Sequence, residues 1–162
     1  MQDIIINGFI NFPAELATFL MAMVPVTELR ASIPVAIISY KMAPFWAFFW
    51  SVLGNTLMGI IVVLILEPVT KLIIKRVDFL NNFWEKYIER IRRKNEKKFE
   101  RWGAVALITF VAIPLPMTGA FTGGVAASIF QIPVKIAGVL LLVGCIISGA
   151  IVTGVTLGFN GL

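Results

Sequence analysis

The chain has 162 residues, 59% hydrophobic and 14% charged, with a mean hydropathy of +0.92. That balance excludes a water-soluble globular domain and leaves room for about four membrane segments of roughly 20 residues each, in one membrane domain. No histidine is present and Cys145 is the one cysteine, so an intrachain disulfide is excluded and neither a zinc site nor a histidine proton relay is expected.

Asp3 stands where a signal peptide would be basic, and no small-residue cleavage site follows the first apolar run, so the apolar segments are expected to be retained. The first of them, 14–40, opens at Glu15 and is broken in its middle by Val24-Pro25-Val26-Thr27-Glu28-Leu29-Arg30-Ala31-Ser32-Ile33-Pro34. A residue before proline is driven out of helical geometry, and the backbone groups freed there need protein or water in place of lipid. Two opposite charges inside such a stretch are costly at a helix centre, about 2.5 to 3.5 kcal/mol each on insertion scales. A broken, water-lined tip lowers that penalty, which predicts a re-entrant hairpin. At its tip Glu28 is a candidate to accept a proton or meet a cation, and Arg30 to hold an anionic group. The plainer alternative is a structural Glu28–Arg30 pair, across a hairpin or between subunits.

Residues 45–66 carry no charge and form a predicted transmembrane helix. Asn55 inside it is a weaker candidate ligand, with a helix–helix hydrogen bond as the alternative. Glu67 and Pro68 end the span. Eleven of the 14 Lys and Arg then fall between Lys71 and Arg101, and with five acids that segment is +6, which places 71–101 in the cytoplasm. Within it Ile73, Val77, Leu80, Trp84, Tyr87 and Ile91 form one stripe, predicting an amphipathic helix that lies on the membrane surface or pairs with a second copy. The basic run is short and interleaved with acids, so no nucleic-acid partner is expected.

The next apolar piece, 104–131, is broken by Ile113-Pro114-Leu115-Pro116-Met117-Thr118-Gly119-Ala120-Phe121-Thr122-Gly123-Gly124 and predicts a second re-entrant hairpin. Pro114 and Pro116 expose backbone, and a half-helix starting near Thr118 to Thr122 would aim amide groups and a positive dipole end at the centre, so Thr118, Gly119 and Thr122 join the candidate site. Gly123 and Gly124 are expected to pack against the first hairpin. Residues 134–158 are a second clean span. No phosphate-binding loop, catalytic cluster, metal site or cofactor motif is found, and no enzyme activity is expected.

The halves repeat. Pro25 to Pro44 and Pro114 to Pro133 are both 19 residues, and Gly54 and Gly59 recur as Gly144 and Gly149. The predicted fold is therefore an all-α integral membrane protein, an inverted repeat of a re-entrant hairpin plus a transmembrane helix, with a cytoplasmic amphipathic helix between the halves. Both termini are then outside; four plain spans would put both inside.

The motifs Pro25-Val26-Thr27-Glu28-Leu29-Arg30, Ile33-Pro34, Ile113-Pro114-Leu115-Pro116 and Thr118-Gly119-Ala120-Phe121-Thr122-Gly123 resemble the bacterial and archaeal family labelled "putative small multidrug export proteins" over nearly the whole chain. Met117 and Phe121 depart from its pattern, which has glycine and tryptophan there. That family looks like a relative of the DedA superfamily, and the resemblance implies paired hairpins meeting at the midplane, with Glu28, Arg30, Pro114, Pro116, Thr118 and Gly119 at the centre. The function expected is a proton- or cation-coupled secondary transporter or translocase of an amphipathic or lipid-like substrate in the cell membrane. An uncoupled channel or scramblase-like pathway, and a non-transporting scaffold, are the alternatives. Expected partners are membrane lipids, the substrate with its coupling ion, and further copies of the chain, since four segments are few to enclose a pathway.

Overall fold

The computed structural model describes residues 12–76, 96–115 and 118–160. Among these residues every regular element is a helix: α1 (Ala14–Met23), α2 (Glu28–Ile38), α3 (Pro44–Arg76), α4 (Glu96–Ala112), α5 (Ala120–Ile129) and α6 (Val134–Asn160). Residues 77–95, with most of the predicted amphipathic stripe, and Pro116 with Met117 lie outside the described residues. Helix α3 runs on through Glu67 and Pro68 to Arg76, and α4 is continuous from Glu96 into the apolar sequence that follows Arg101.

Proline sets the breaks. Val24 precedes Pro25 and is extended, at φ −77° and ψ 125°, which ends α1 one residue earlier. The carbonyls freed there are met by a threonine: Thr27 Oγ1 lies 2.5 Å from the Met21 carbonyl oxygen and 3.2 Å from that of Val24. The second break uses the same residue type, with Thr118 Oγ1 2.7 Å from the carbonyl oxygen of Ile113 and 2.9 Å from that of Leu115. The turns after α2 and α5 are also alike, each with a left-handed residue, Lys41 (φ 53°) and Gln131 (φ 52°), and a proline starts or precedes the long helix that follows, Pro44 for α3 and Pro133 for α6.

Helices α3 and α6 are long and apolar enough to cross a membrane, over Pro44–Val69 and Val134–Phe159. The short helices α1, α2 and α5 are about 15 Å long at 1.5 Å per residue, half of a hydrocarbon core of roughly 30 Å. Helix α1 packs on α3 and α4 on α6, α5 packs chiefly on α3, and α2 packs on both α3 and α6. The close approach of α1 to α3 and of α4 to α6 needs glycine. A Cβ on Gly54 would stand 3.2 Å from the Ala22 Cβ and overlap the Phe19 carbonyl, and one on Gly144 would stand 2.7 Å from the Val111 Cβ. Gly124 packs against α3, at the carbonyl of Gly59, so its close partner is the long helix of the first half; Gly123 meets Val111 and Leu141.

Ile33, Ala36, Val63, Val111, Leu141 and Cys145 form the centre of the buried cluster. Outward, Leu53, Leu57, Leu64 and Ile65 of α3 and Val139, Ile146, Ile151 and Val155 of α6 are exposed, an apolar surface suited to lipid.

Candidate functional site

Glu28 is the first residue of α2 and the point where the two halves meet. The turn Pro25–Thr27 is so tight that the Glu28 amide still bonds the Val24 carbonyl at 3.0 Å, and Glu28 itself is left-handed at φ 45°. A non-glycine residue there pays a conformational cost of about 1–2 kcal/mol. Although charged, the residue is only 6% exposed. Its carboxylate reaches across to the start of α5, where Oε1 accepts the Phe121 N–H at 3.4 Å. The carboxyl group also lies on the Cα of Gly119, so closely that a Cβ there would overlap it.

Helix α5 explains that placement. Its N-cap is Gly119, which has no side chain to accept from the first amides. Phe121 is at the second helical position, one of the two whose N–H a capping side chain ordinarily takes. Here the acceptor comes from the other half of the chain, and the negative charge sits at the positive end of the α5 dipole.

Arg30 does not pair with Glu28. Its Nη2 donates to the Val26 carbonyl at 2.8 Å, back onto its own tip, and among the described residues no carboxylate lies within ion-pair distance of it. Within one chain the two groups therefore have separate partners, Val26 for Arg30 and Phe121 for Glu28.

Glu28, Arg30, Asn55, Pro114, Gly119 and Ser148 line one small cavity together with Leu29, Ile113 and Leu115; its free interior, about 10 Å³, holds one water-sized species. Asn55 enters from α3 and is 1% exposed. Its Nδ2 is 3.8 Å from the Cys145 sulfur of α6, a weak contact, while its Oδ1 has no donor among the described residues. Thr118 and Thr122 are not among the lining residues. Thr118 closes the second tip, and Thr122 Oγ1 donates to the Gly119 carbonyl at 3.2 Å within α5. Pro116 lies outside the described residues.

Two features escape a reading of the sequence. Ser148 completes the cavity from α6, and Ser32 of α2 bonds Ser51 of α3 at 2.9 Å with both side chains fully buried. The available signal was the placement of single small polar residues within apolar runs, which ordinarily marks helix packing.

A family model described as "Putative small multi-drug export protein" matches residues 28–151, which is most of the chain. The chain belongs to that family. The match takes in both tips from Glu28 onward and the whole lined cavity. No curated protein and no solved structure matches. Family membership and two apolar helices of spanning length make this small multi-drug export family chain a membrane protein.

Proposed function

We propose that the chain is a secondary transporter or translocase of an amphipathic or lipid-like substrate, coupled to a proton or a cation, with its site where two proline-broken tips meet. The observation that carries this reading is the buried Glu28 carboxylate lodged against the N-terminus of α5 beside a small cavity. An ionisable group is costly within the membrane, and one facing a polar cavity is by default part of a substrate or ion path. The family's description, small multi-drug export, fits an amphipathic cargo.

In this reading α1–α2 and α4–α5 are re-entrant hairpins and the two halves an inverted repeat, the arrangement in which transporters keep a site at the repeat interface. What supports it is the recurrence of devices: Thr27 and Thr118 at the tips, left-handed Lys41 and Gln131 before Pro44 and Pro133, and Gly54 and Gly144 on the long helices. Asn55 and Cys145, 90 residues apart, touch where α3 meets α6. The basic segment 71–101 is cytoplasmic, both termini are outside, and the chain works as a homodimer or larger assembly. No chemical conversion of the substrate is involved. A relation to DedA-type translocases is consistent with paired hairpins.

The test is flux of an amphipathic dye in vesicles holding the purified chain, driven by an imposed pH gradient. Glu28→Gln is expected to abolish gradient-driven flux. If flux persists with only its rate altered, the pathway is uncoupled and this reading fails.

A further inference from the structure

We propose, resting on that transport reading, that the Glu28 carboxylate is an internal placeholder for the anionic group of the substrate. When Glu28 takes up a proton, the acid turns to Asn55 Oδ1 and the anion takes its place at the start of α5.

The start of α5 offers donors. The Phe121 N–H points at Glu28 Oε1, and Gly119, at the N-cap, contributes no acceptor side chain. At 3.4 Å this bond is long for an N–H donating to oxygen, so the carboxylate is held loosely enough to leave. A protonated Glu28 has the opposite need. Its O–H is a buried donor, an amide N–H cannot accept it, and a buried donor without a partner is costly. Asn55 supplies what is missing: it lines the same cavity, is 1% exposed, and its Oδ1 has no donor among the described residues. Each group lacks what the other has in one protonation state.

Charge and space agree. Arg30 lines the cavity and donates to the Val26 carbonyl, with no direct ion pair to Glu28. Among the described residues Arg30, on its own helix, is the charged group that bears electrostatically on Glu28, and the Cys145 thiol of α6 feels the Glu28 charge in turn; the described parts of α3, α5 and the second tip bring no titratable side chain to it. With Glu28 ionised the lining is neutral overall, and with Glu28 protonated it is positive and completed by the α5 dipole. While the carboxylate is seated, the cavity holds only a water-sized species. The room for the anion is the volume beside Gly119 that the carboxyl gives up on turning to Asn55. One proton from water thus enters with each anionic group, and the pair is neutral.

The experiment is calorimetric binding to the purified full chain in detergent, run in two buffers of different ionisation heat so that protons are counted. The probe is hexyl sulfonate, whose charge is constant between about pH 5 and pH 8. Inorganic sulfate and hexyltrimethylammonium are run beside it. We expect hexyl sulfonate to bind with uptake of about one proton, tightening roughly tenfold per unit fall in pH, the slope for one linked proton. Glu28→Gln, or Glu28→Ser if the first variant does not fold, is expected to bind without proton uptake and with one affinity at every pH. Asn55→Leu is expected to displace the pH response to lower pH, and Asn55→Gln to restore it. Binding of sulfate as well would mark a free anion as the cargo; binding of the sulfonate alone would mark an anionic amphiphile. Undiminished proton uptake in both Glu28 variants, no binding of the sulfonate, or binding of hexyltrimethylammonium in its place would each overturn the proposal. The transport reading fails on a separate result, gradient-driven flux that survives in Glu28→Gln vesicles.

Discussion

At Glu28 an unfavourable backbone angle and a buried charge occur in one residue, and both are explained by a single contact. The left-handed φ of 45° falls at the residue whose side chain crosses to the other half, and the charge is met by an amide in the first turn of α5. Gly119 is the counterpart, because the carboxyl occupies the volume in which a Cβ would stand. We expect Gly119→Ala to destabilise the fold by about 1–3 kcal/mol through overpacking. In a Glu28→Ala background the same change should cost far less, so a double-mutant cycle on denaturant unfolding should give a coupling of about 0.5–3 kcal/mol. A cycle that closes to zero would show that the two residues do not touch. The contact has no signature in local sequence, since Gly119 lies far from Glu28 and glycine is frequent in membrane helices.

The breaks at the two tips are made by proline and closed by a threonine. Replacing Thr118 with Val leaves the Ile113 carbonyl without its 2.7 Å donor, and replacing Thr27 with Val does the same to the Met21 carbonyl. Each should cost about 1–3 kcal/mol in unfolding experiments, with Ser largely restoring the loss. The turns at Lys41 and Gln131 predict the reverse sign. Both are left-handed without being glycine, so Lys41→Gly and Gln131→Gly should raise the unfolding midpoint, each by up to about 1 kcal/mol in free energy. The breaks at Pro25 and Pro114 were legible in the sequence because proline acts on its immediate neighbour. The run of α3 beyond Pro68 was not, since a proline near a helix end can be absorbed when its turn is otherwise satisfied.

At the scale of the whole molecule the two long helices pack on each other as the frame, α2 and α5 touch both of them, and α1 and α4 flank α3 and α6 respectively. Cysteine labelling reads the topology directly. In a Cys145→Ser background, Phe12→Cys and Phe159→Cys should react with an impermeant reagent from outside and Gln131→Cys from the cytoplasm; the opposite pattern would mean four plain spans. Cys145 itself, fully buried, should resist thiol reagents until the chain unfolds.

Sequence alone determined the solvent, the breaks and the orientation signal. Hydropathy is a sum over residues, proline restricts the residue before it, and the charge excess at 71–101 is a count, so none of these needs to know what touches what. Tertiary structure decided the site. That Glu28 is met by α5, that Arg30 turns to the Val26 carbonyl, and that Asn55 reaches Cys145 all depend on which backbone groups are left unpaired when the helices assemble. Almost every residue carries the same N–H and C=O, and only packing selects the few that become available.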